Sequence, residues 1–182
     1  MHPTQLQLRR TEHADLAVLF EFQLDEEANY LAAFTAKEPA DKAAYFEKYT
    51  KHLQDPTINN QTIWLGDTPA GSIAKFEIEG DAELTYWIDK AHWGKGIATT
   101  ALKNFLAIEH SRPIFARAAF DNYGSQKVLE KCGFVKIGTD KGFANARAAE
   151  IEVNSLLALT FSVKFKLDKF PVATPWDHTI DF

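Results

Sequence analysis

Near the middle of the chain a strand-like run feeds through a glycine loop into a helix, and this junction restricts the fold more than any other feature. Glu83-Leu84-Thr85-Tyr86-Trp87-Ile88 is rich in strand formers, Trp93-Gly94-Lys95-Gly96 makes a tight loop, and Ile97, Ala101, Leu102, Phe105 and Leu106 then recur at helical spacing. Glycine admits backbone conformations closed to other residues and lets a ligand approach the main chain. The first N–H groups of a helix lack partners within it, and the helix dipole is positive at that end. Together these parts make an anion site suited to a diphosphate, to which Lys95 adds a cation and Thr99 a first-turn hydroxyl. The loop is not a Walker sequence, which needs Gly-x-x-x-x-Gly-Lys-[Ser/Thr], and Thr99 stands where a dinucleotide fingerprint needs its third glycine. An ordinary glycine-rich turn is the alternative that this segment alone leaves open.

The remaining segments place the junction in an α/β sheet layered with helices. Leu6–Arg10 alternates as a first strand, and Thr11, followed by Glu12 and Asp15, is predicted to cap a helix with Leu16, Leu19 and Phe20 on its apolar face. Pro39 and Asp41 open a second helix carrying Phe46, Tyr49 and Leu53, which ends near Asp55-Pro56. The period then changes to two, giving strands at Thr62–Leu65 and Ala74–Ile78 before the Glu83–Ile88 run. After the central helix come a strand at Pro113–Phe120, a helix at Asn122–Lys131 stopped by Gly133, a strand at Phe134–Ile137 and a last strand near Ala149–Leu159. No repeat or linker divides the 182 residues, so a single domain over 1–182 is expected. Within it, 160–182 is an extension of unassigned structure: Phe161, Val163, Phe165 and Leu167 alternate, but Pro171, Pro175 and Trp176 break the pattern.

Composition narrows the classes of function. The net charge of −5 argues against non-specific nucleic-acid binding, which draws on a basic excess, and is compatible with an amine-bearing substrate. No apolar run approaches the roughly 18 residues of a membrane span, and Met1-His2-Pro3-Thr4 lacks a secretory start. With Cys132 the only cysteine no internal disulfide can form, which makes the cytoplasm the expected compartment. Cys132 reads as a small buried hydrophobe, and the six histidines show no metal-ligand spacing, so no metal is expected.

The segment Asn122-Tyr123-Gly124-Ser125-Gln126-Lys127-Val128-Leu129-Glu130-Lys131-Cys132-Gly133-Phe134 resembles the Asn-x-x-Ser helix and Lys-x-Gly-Phe ending of GNAT acetyltransferases. The earlier loop, Trp93-Gly94-Lys95-Gly96-Ile97-Ala98, resembles their acetyl-CoA motif, usually Gln/Arg-x-x-Gly-x-Gly/Ala. Trp93 departs from the general pattern and, with Tyr86-Trp87-Ile88-Asp89, is similar to the RimJ/RimL branch. The resemblance covers roughly residues 5 to 159. It implies the GNAT fold: a central mixed, mostly antiparallel sheet of about seven strands, splayed at the cofactor site and flanked by about four helices. It also implies an acetyl-CoA-dependent N-acetyltransferase in which a primary amine, on a small molecule or a protein N-terminus, attacks the thioester directly. A non-catalytic acyl-CoA-binding module is the alternative.

By the same resemblance, Ile88, Trp93, Gly94, Lys95, Gly96, Ile97, Ala98, Thr99, Asn122 and Ser125 contact coenzyme A, with a free N–H near Trp87 or Ile88 facing the acetyl oxygen. Ser125 is the candidate acid for the leaving thiolate or a hydroxyl that only touches the cofactor. Many relatives carry a tyrosine seven residues after the asparagine, where this chain has Leu129. Glu83 is the candidate base, through water, or an exposed strand carboxylate; Glu150 and Glu152 are its rivals. Phe22, Tyr30, Phe34, Tyr45 and Phe46 are pocket or core residues of the early helices, and Asn145 and Arg147 are candidate acceptor contacts in the late hairpin. The 161–176 stretch is a candidate homodimer surface.

Overall fold

A computed structural model describes residues 5–158. The chain runs β1 (Leu6–Arg10), α1 (Leu16–Phe22), α2 (Glu26–Ala32), α3 (Lys42–Gln54), β2 (Asn59–Leu65), β3 (Thr68–Ile78), β4 (Asp81–Ile88), α4 (Ile97–Ile108), β5 (Ile114–Ala119), α5 (Tyr123–Lys131), β6 (Val135–Ala144) and β7 (Ala149–Ala158). Short 3-10 turns at His13–Asp15, Lys90–His92 and Asn145–Arg147 link neighbouring elements. The expected alternation and dimer surface beyond Leu159 lie outside the described residues.

All seven strands share one sheet in the order β1-β2-β3-β4-β5-β7-β6. Every neighbouring pair is antiparallel except β4 and β5, which run parallel. That parallel pair is short, holding register only over Ala82–Leu84 and Ile114–Ala116. Beyond it, β4 stays paired with β3 as far as Ile88, and β5 stays paired with β7 as far as Ala119. Each strand follows its outer partner, so the inner edges diverge into a wedge.

The two faces of the sheet are packed differently. Ile63, Ile73, Leu84, Ile88, Ile114 and Leu156 form one buried core with Leu102 and Phe105 of α4 and Leu129 of α5. On the other face Leu16 and Phe20 of α1 pack on Tyr45 of α3, with Phe46, Tyr49 and Leu53 around them. Alternation along β4 therefore sends Leu84, Tyr86 and Ile88 toward α4 and α5, and Glu83, Thr85 and Trp87 toward α1–α3. The Trp87 indole donates to the Phe22 carbonyl at the end of α1, which fixes that assignment. Glycine is required at Gly71, where a Cβ would lie 2.1 Å from the Trp87 carbonyl oxygen.

Three local expectations are corrected. Thr11 does not cap a helix: it is buried, its N–H continues the β-ladder to the Asn60 carbonyl, and its hydroxyl meets Asn60 and Thr62. Glu12 caps the first 3-10 turn instead, its N–H bonded to Asp15. Among the described residues there are five α-helices where about four were expected, because Asp25 caps a separate short helix through the Ala28 N–H. Strand β6 extends to Ala144, well past Ile137; Gly138, Asp140 and Gly142 hid it, yet as an edge strand mostly exposed to solvent it tolerates them.

Candidate active site

The loop before α4 has a backbone made for close approach. Gly94 and Gly96 have φ of 72° and 76°, in the left-handed region, and a Cβ on either would meet open space. Gly96 caps α4 without a side-chain hydrogen bond, so no side chain there occupies the N–H groups of Ile97, Ala98 and Thr99. Ile97 and Ala98 anchor the turn against the main core, and the Thr99 carbonyl accepts from Cys132 Sγ at 3.6 Å. The side chains around the loop are otherwise engaged. Lys95 Nζ folds back to the Ala91 carbonyl at 2.7 Å, and Trp93 Nε1 donates to the Ile88 carbonyl at 2.9 Å. Asp89 N–H bonds Ala70 on β3, so the Ile88 amide, one residue earlier, points to the opposite edge and into the wedge.

From the wedge a cavity of about 400 Å³ reaches both faces of the sheet. On the α5 face it is walled by Leu84, Tyr86, Ala116, Ala118, Ser125 and Leu129; on the other face by residues that include Glu83, Trp87, Arg117, Phe34, Tyr49 and His52. Ser125 sits in the first turn of α5, where its Oγ lies 2.8 Å from Tyr86 Oη. Burial pushes the Tyr86 phenol well above its ordinary pKa, so the phenol keeps its proton. Asn122 caps α5: its Oδ1 accepts from Ser125 N–H at 3.1 Å, while its Nδ2 donates to the Leu31 carbonyl at 3.0 Å. Both ends of that amide are thereby committed to joining α5 and α2.

Glu83 is not an exposed strand carboxylate. It is 4% exposed, faces the cavity and forms an ion pair with Arg117 of the neighbouring strand. Burial pushes its carboxyl above the ordinary range, against the lowering pull of the guanidinium. Glu150 and Glu152 are exposed and stand apart from the cavity wall. Of the five early aromatics only Phe34 lines the cavity. Tyr45 and Phe46 belong to the α1–α3 core, and Tyr30 lies under the Arg147 guanidinium at 4.3 Å. Asn145 and Arg147 spend their side chains on Thr35, Tyr30 and Asp121, clamping the hairpin turn to α2 and the start of α5. Among the described residues no cluster of His, Cys, Asp and Glu could hold a metal ion, and no helix is long and apolar enough to cross a membrane.

Sequence reasoning missed Arg117, Tyr49 and His52, and passed over Tyr86 as a site residue. A charged residue inside the apolar run Ile114–Ala119 was the available signal for Arg117, since a cation there needs a partner. Burial and the nearby Lys48 charge keep the His52 imidazole below its ordinary pKa, so a neutral ring faces the cavity.

A family model described as the acetyltransferase (GNAT) domain matches residues 5–135. The chain belongs to the GNAT acetyltransferase family. This GNAT chain, an N-acetyltransferase by family, aligns with spermidine N-acetyltransferase from Vibrio cholerae in complex with CoA and spermine, at TM-score 0.74 and 23% identity over 85% of this chain and 95% of that one. It also aligns with RimL, a ribosomal L7/L12 alpha-N-protein acetyltransferase in complex with coenzyme A, at TM-score 0.73 and 19% identity over 86% and 94%. A chimera of the spermidine N-acetyltransferase SpeG from Vibrio cholerae and hSSAT matches at TM-score 0.68 and 26% identity over 85% and 95%. These likenesses bear out the expected mixed, mostly antiparallel sheet. No curated protein matches the sequence.

Proposed function

We propose that this GNAT enzyme transfers the acetyl group of acetyl-CoA to a primary amine, on a small molecule or a protein N-terminus, with both reactants bound at once. The observation that carries the reading is the cavity that crosses the sheet at the wedge. It brings the Tyr86–Ser125 hydroxyls and the Glu83 carboxylate to one space, approached from opposite faces.

The residues present suit coenzyme A. The Gly94–Thr99 turn offers uncapped N–H groups to a diphosphate, and the diverging edges of β4 and β5 offer main-chain partners to an extended amide-bearing arm. Bound acetyl-CoA supplies an activated acetyl group as a thioester. On this chain, the Ile88 N–H serves the acetyl oxygen, as a fixed donor does where negative charge develops. Ser125 Oγ–H meets the departing sulfur. Glu83, through water, collects the proton that the amine nitrogen gives up. Asn122 acts in this scheme by holding Ser125 and α5 in place. An N-terminal α-amine has a pKa of roughly 8 and is partly neutral near physiological pH, so a weak base suffices. The Trp93-Gly94-Lys95-Gly96 loop supports a place in the RimJ/RimL-like branch. We also propose a single-domain cytoplasmic enzyme that needs no metal, nucleic acid or membrane, with a homodimer as its candidate assembly.

Calorimetric titration with acetyl-CoA tests the cofactor assignment, using the parent and a Gly96→Trp variant. The expected result is binding by the parent and its loss in the variant. Free-thiol release is then measured across a panel of small amines and short peptides. A parent that does not bind acetyl-CoA overturns the proposal. Binding without thiol release for any amine replaces it with an acyl-CoA-binding module.

A further inference from the structure

At the α5 end of the wedge the cavity wall is almost wholly apolar. Leu84, Ala116, Ala118 and Leu129 contribute no proton, and Asn122 has both ends of its amide engaged. Among the described residues, the protic side-chain groups left there are Ser125 Oγ and Tyr86 Oη, 2.8 Å apart, from two elements distant in sequence. The same phenol lies 3.3 Å from the Ser125 carbonyl, a longer and weaker approach. Strand β4 sets Tyr86 rigidly, since its neighbours Thr85 and Trp87 remain in register with Ala74 and Ser72 of β3.

The direction of the hydrogen bond follows from the chemistry of the two groups. A phenol, with an ordinary pKa near 10, is far more acidic than an aliphatic alcohol and its oxygen is the poorer acceptor. The Tyr86 O–H therefore donates, and Ser125 Oγ accepts. A serine oxygen that accepts on one side turns its own proton away from that donor, and Ser125 itself lines the cavity. Burial keeps the phenol protonated, so this orientation persists across neutral pH.

We propose that Tyr86 is a positioning residue of acetyl transfer: it donates to Ser125 Oγ and so aims the serine proton into the wedge, at the sulfur that departs. This inference rests on the proposed function. In the step itself the amine nitrogen forms its bond to the acetyl carbon as the carbon–sulfur bond breaks, and the bond's electron pair goes to sulfur. Ser125 gives its proton to that sulfur as it takes the Tyr86 proton along their hydrogen bond, Glu83 collects through water the proton released by the nitrogen, and proton exchange through solvent restores the phenol and the Glu83 carboxylate. Tyr86 sets the strength and direction of the serine donor and passes its own proton along the hydrogen bond to Ser125 Oγ as the serine proton leaves. It supplies from β4 the phenol that Leu129 cannot supply from α5.

Steady-state kinetics on Tyr86→Phe, Ser125→Ala and the double variant test this, with the best amine found for the parent. Deleting a general acid typically costs a hundredfold or more in rate, so Ser125→Ala is expected to lower kcat by about that factor. Tyr86→Phe, which leaves the serine present but unaimed, is expected to lower kcat roughly tenfold, less than removal of the acid itself. The KM for acetyl-CoA should stay within about threefold in both. The double variant should be no slower than Ser125→Ala, because groups that act as a unit are not additive. Normal kcat in Tyr86→Phe overturns the inference, and so does a double variant whose loss is the product of the two single losses. If Tyr86→Phe fails to fold, a trifluorinated tyrosine at position 86 keeps the shape and strengthens the donor. A raised or lowered kcat with unchanged KM then supports the role, and an unchanged kcat overturns it. Parent protein that acetylates no amine refutes the proposed function instead, and this inference with it.

Discussion

The two faces of the sheet meet at one wedge but are built from different materials. On the α4–α5 face, apart from the Tyr86 and Ser125 hydroxyls, the ligand-ready groups are main-chain: two left-handed glycines, an uncapped helix end and the inner edge of β4. On the α1–α3 face they are side chains, namely a buried carboxylate, its arginine, a neutral histidine and aromatic rings drawn from separate elements. Backbone groups bind what every member of a family shares, because almost any sequence can present them. Side-chain groups can be exchanged singly, so under the proposed function the α1–α3 face, on the acceptor side, is the one free to change its substrate. The contrast predicts that the acceptor face fails when a charge is removed and the cofactor face fails when a Cβ is added.

The sharpest break should come from Arg117→Met. It leaves the Glu83 carboxylate buried without its cation, a change that costs about 3 kcal/mol for a buried pair. The carboxyl's native pKa, already above its ordinary 4.5, rises further. A raised native pKa means that the folded state holds more protons than the unfolded one, so stability falls as pH rises from 4.5 through the raised value. Thermal or urea melts of variant and parent should therefore lie close together near pH 4 and separate toward pH 7. A gap independent of pH would show that Arg117 matters through packing alone.

Next in size is Gly96→Val, which tests the other face. A β-branched residue at φ 76° is strained by about 1–2 kcal/mol, and its side chain fills the space in front of the helix end. Acetyl-CoA affinity should drop by roughly a hundredfold in calorimetry, about 2.8 kcal/mol at 1.4 kcal/mol per tenfold, because the side chain occupies the diphosphate's place. Unchanged affinity would move the diphosphate elsewhere. A smaller effect is expected from Asp121→Asn. Arg147 holds the Asp121 carboxyl below its ordinary 3.8, so its stabilisation is present above that pH and is lost as pH falls through the lowered value. The pair is bidentate but partly exposed, so about 0.5–1 kcal/mol is expected near pH 7, shrinking as pH falls through the lowered value, read from urea melts.

The same contrast explains what could be read before the fold was known. The Trp93–Thr99 loop, the α5 helix with its Gly133 stop, and the Asp41 cap of α3 are written locally, in adjacent residues with fixed backbone roles. Glu83 and Ser125 were legible as candidates through the resemblance to GNAT acetyltransferases, which implies a splay bordered by the Glu83 strand and a helix opening Asn-x-x-Ser. The ion pair that buries Glu83 was not, because Arg117 is 34 residues away and joins it only through the short parallel register of β4 and β5. Nor was the Tyr86–Ser125 pair, whose partners are 39 residues apart. The division of the early helices was missed because Asp25 and Asp41 are both sound N-caps, and only the break between α1 and α2 shows that both are used.

The gentlest change bears most directly on the claim that the cofactor face works through its backbone. Lys95 is the one cation in the glycine loop, and charge alone would make it the principal partner of a diphosphate. Its ammonium instead reaches back 2.7 Å to the Ala91 carbonyl, in an exposed turn where water screens any charge it offers. Lys95→Ala should therefore weaken acetyl-CoA by no more than about threefold at physiological salt, with the parent and variant converging as salt rises. Calorimetry at two ionic strengths measures both. A loss comparable to that of Gly96→Val would mean that the lysine leaves Ala91 for the diphosphate on binding, and the cofactor face would then rely on side-chain charge as the acceptor face does.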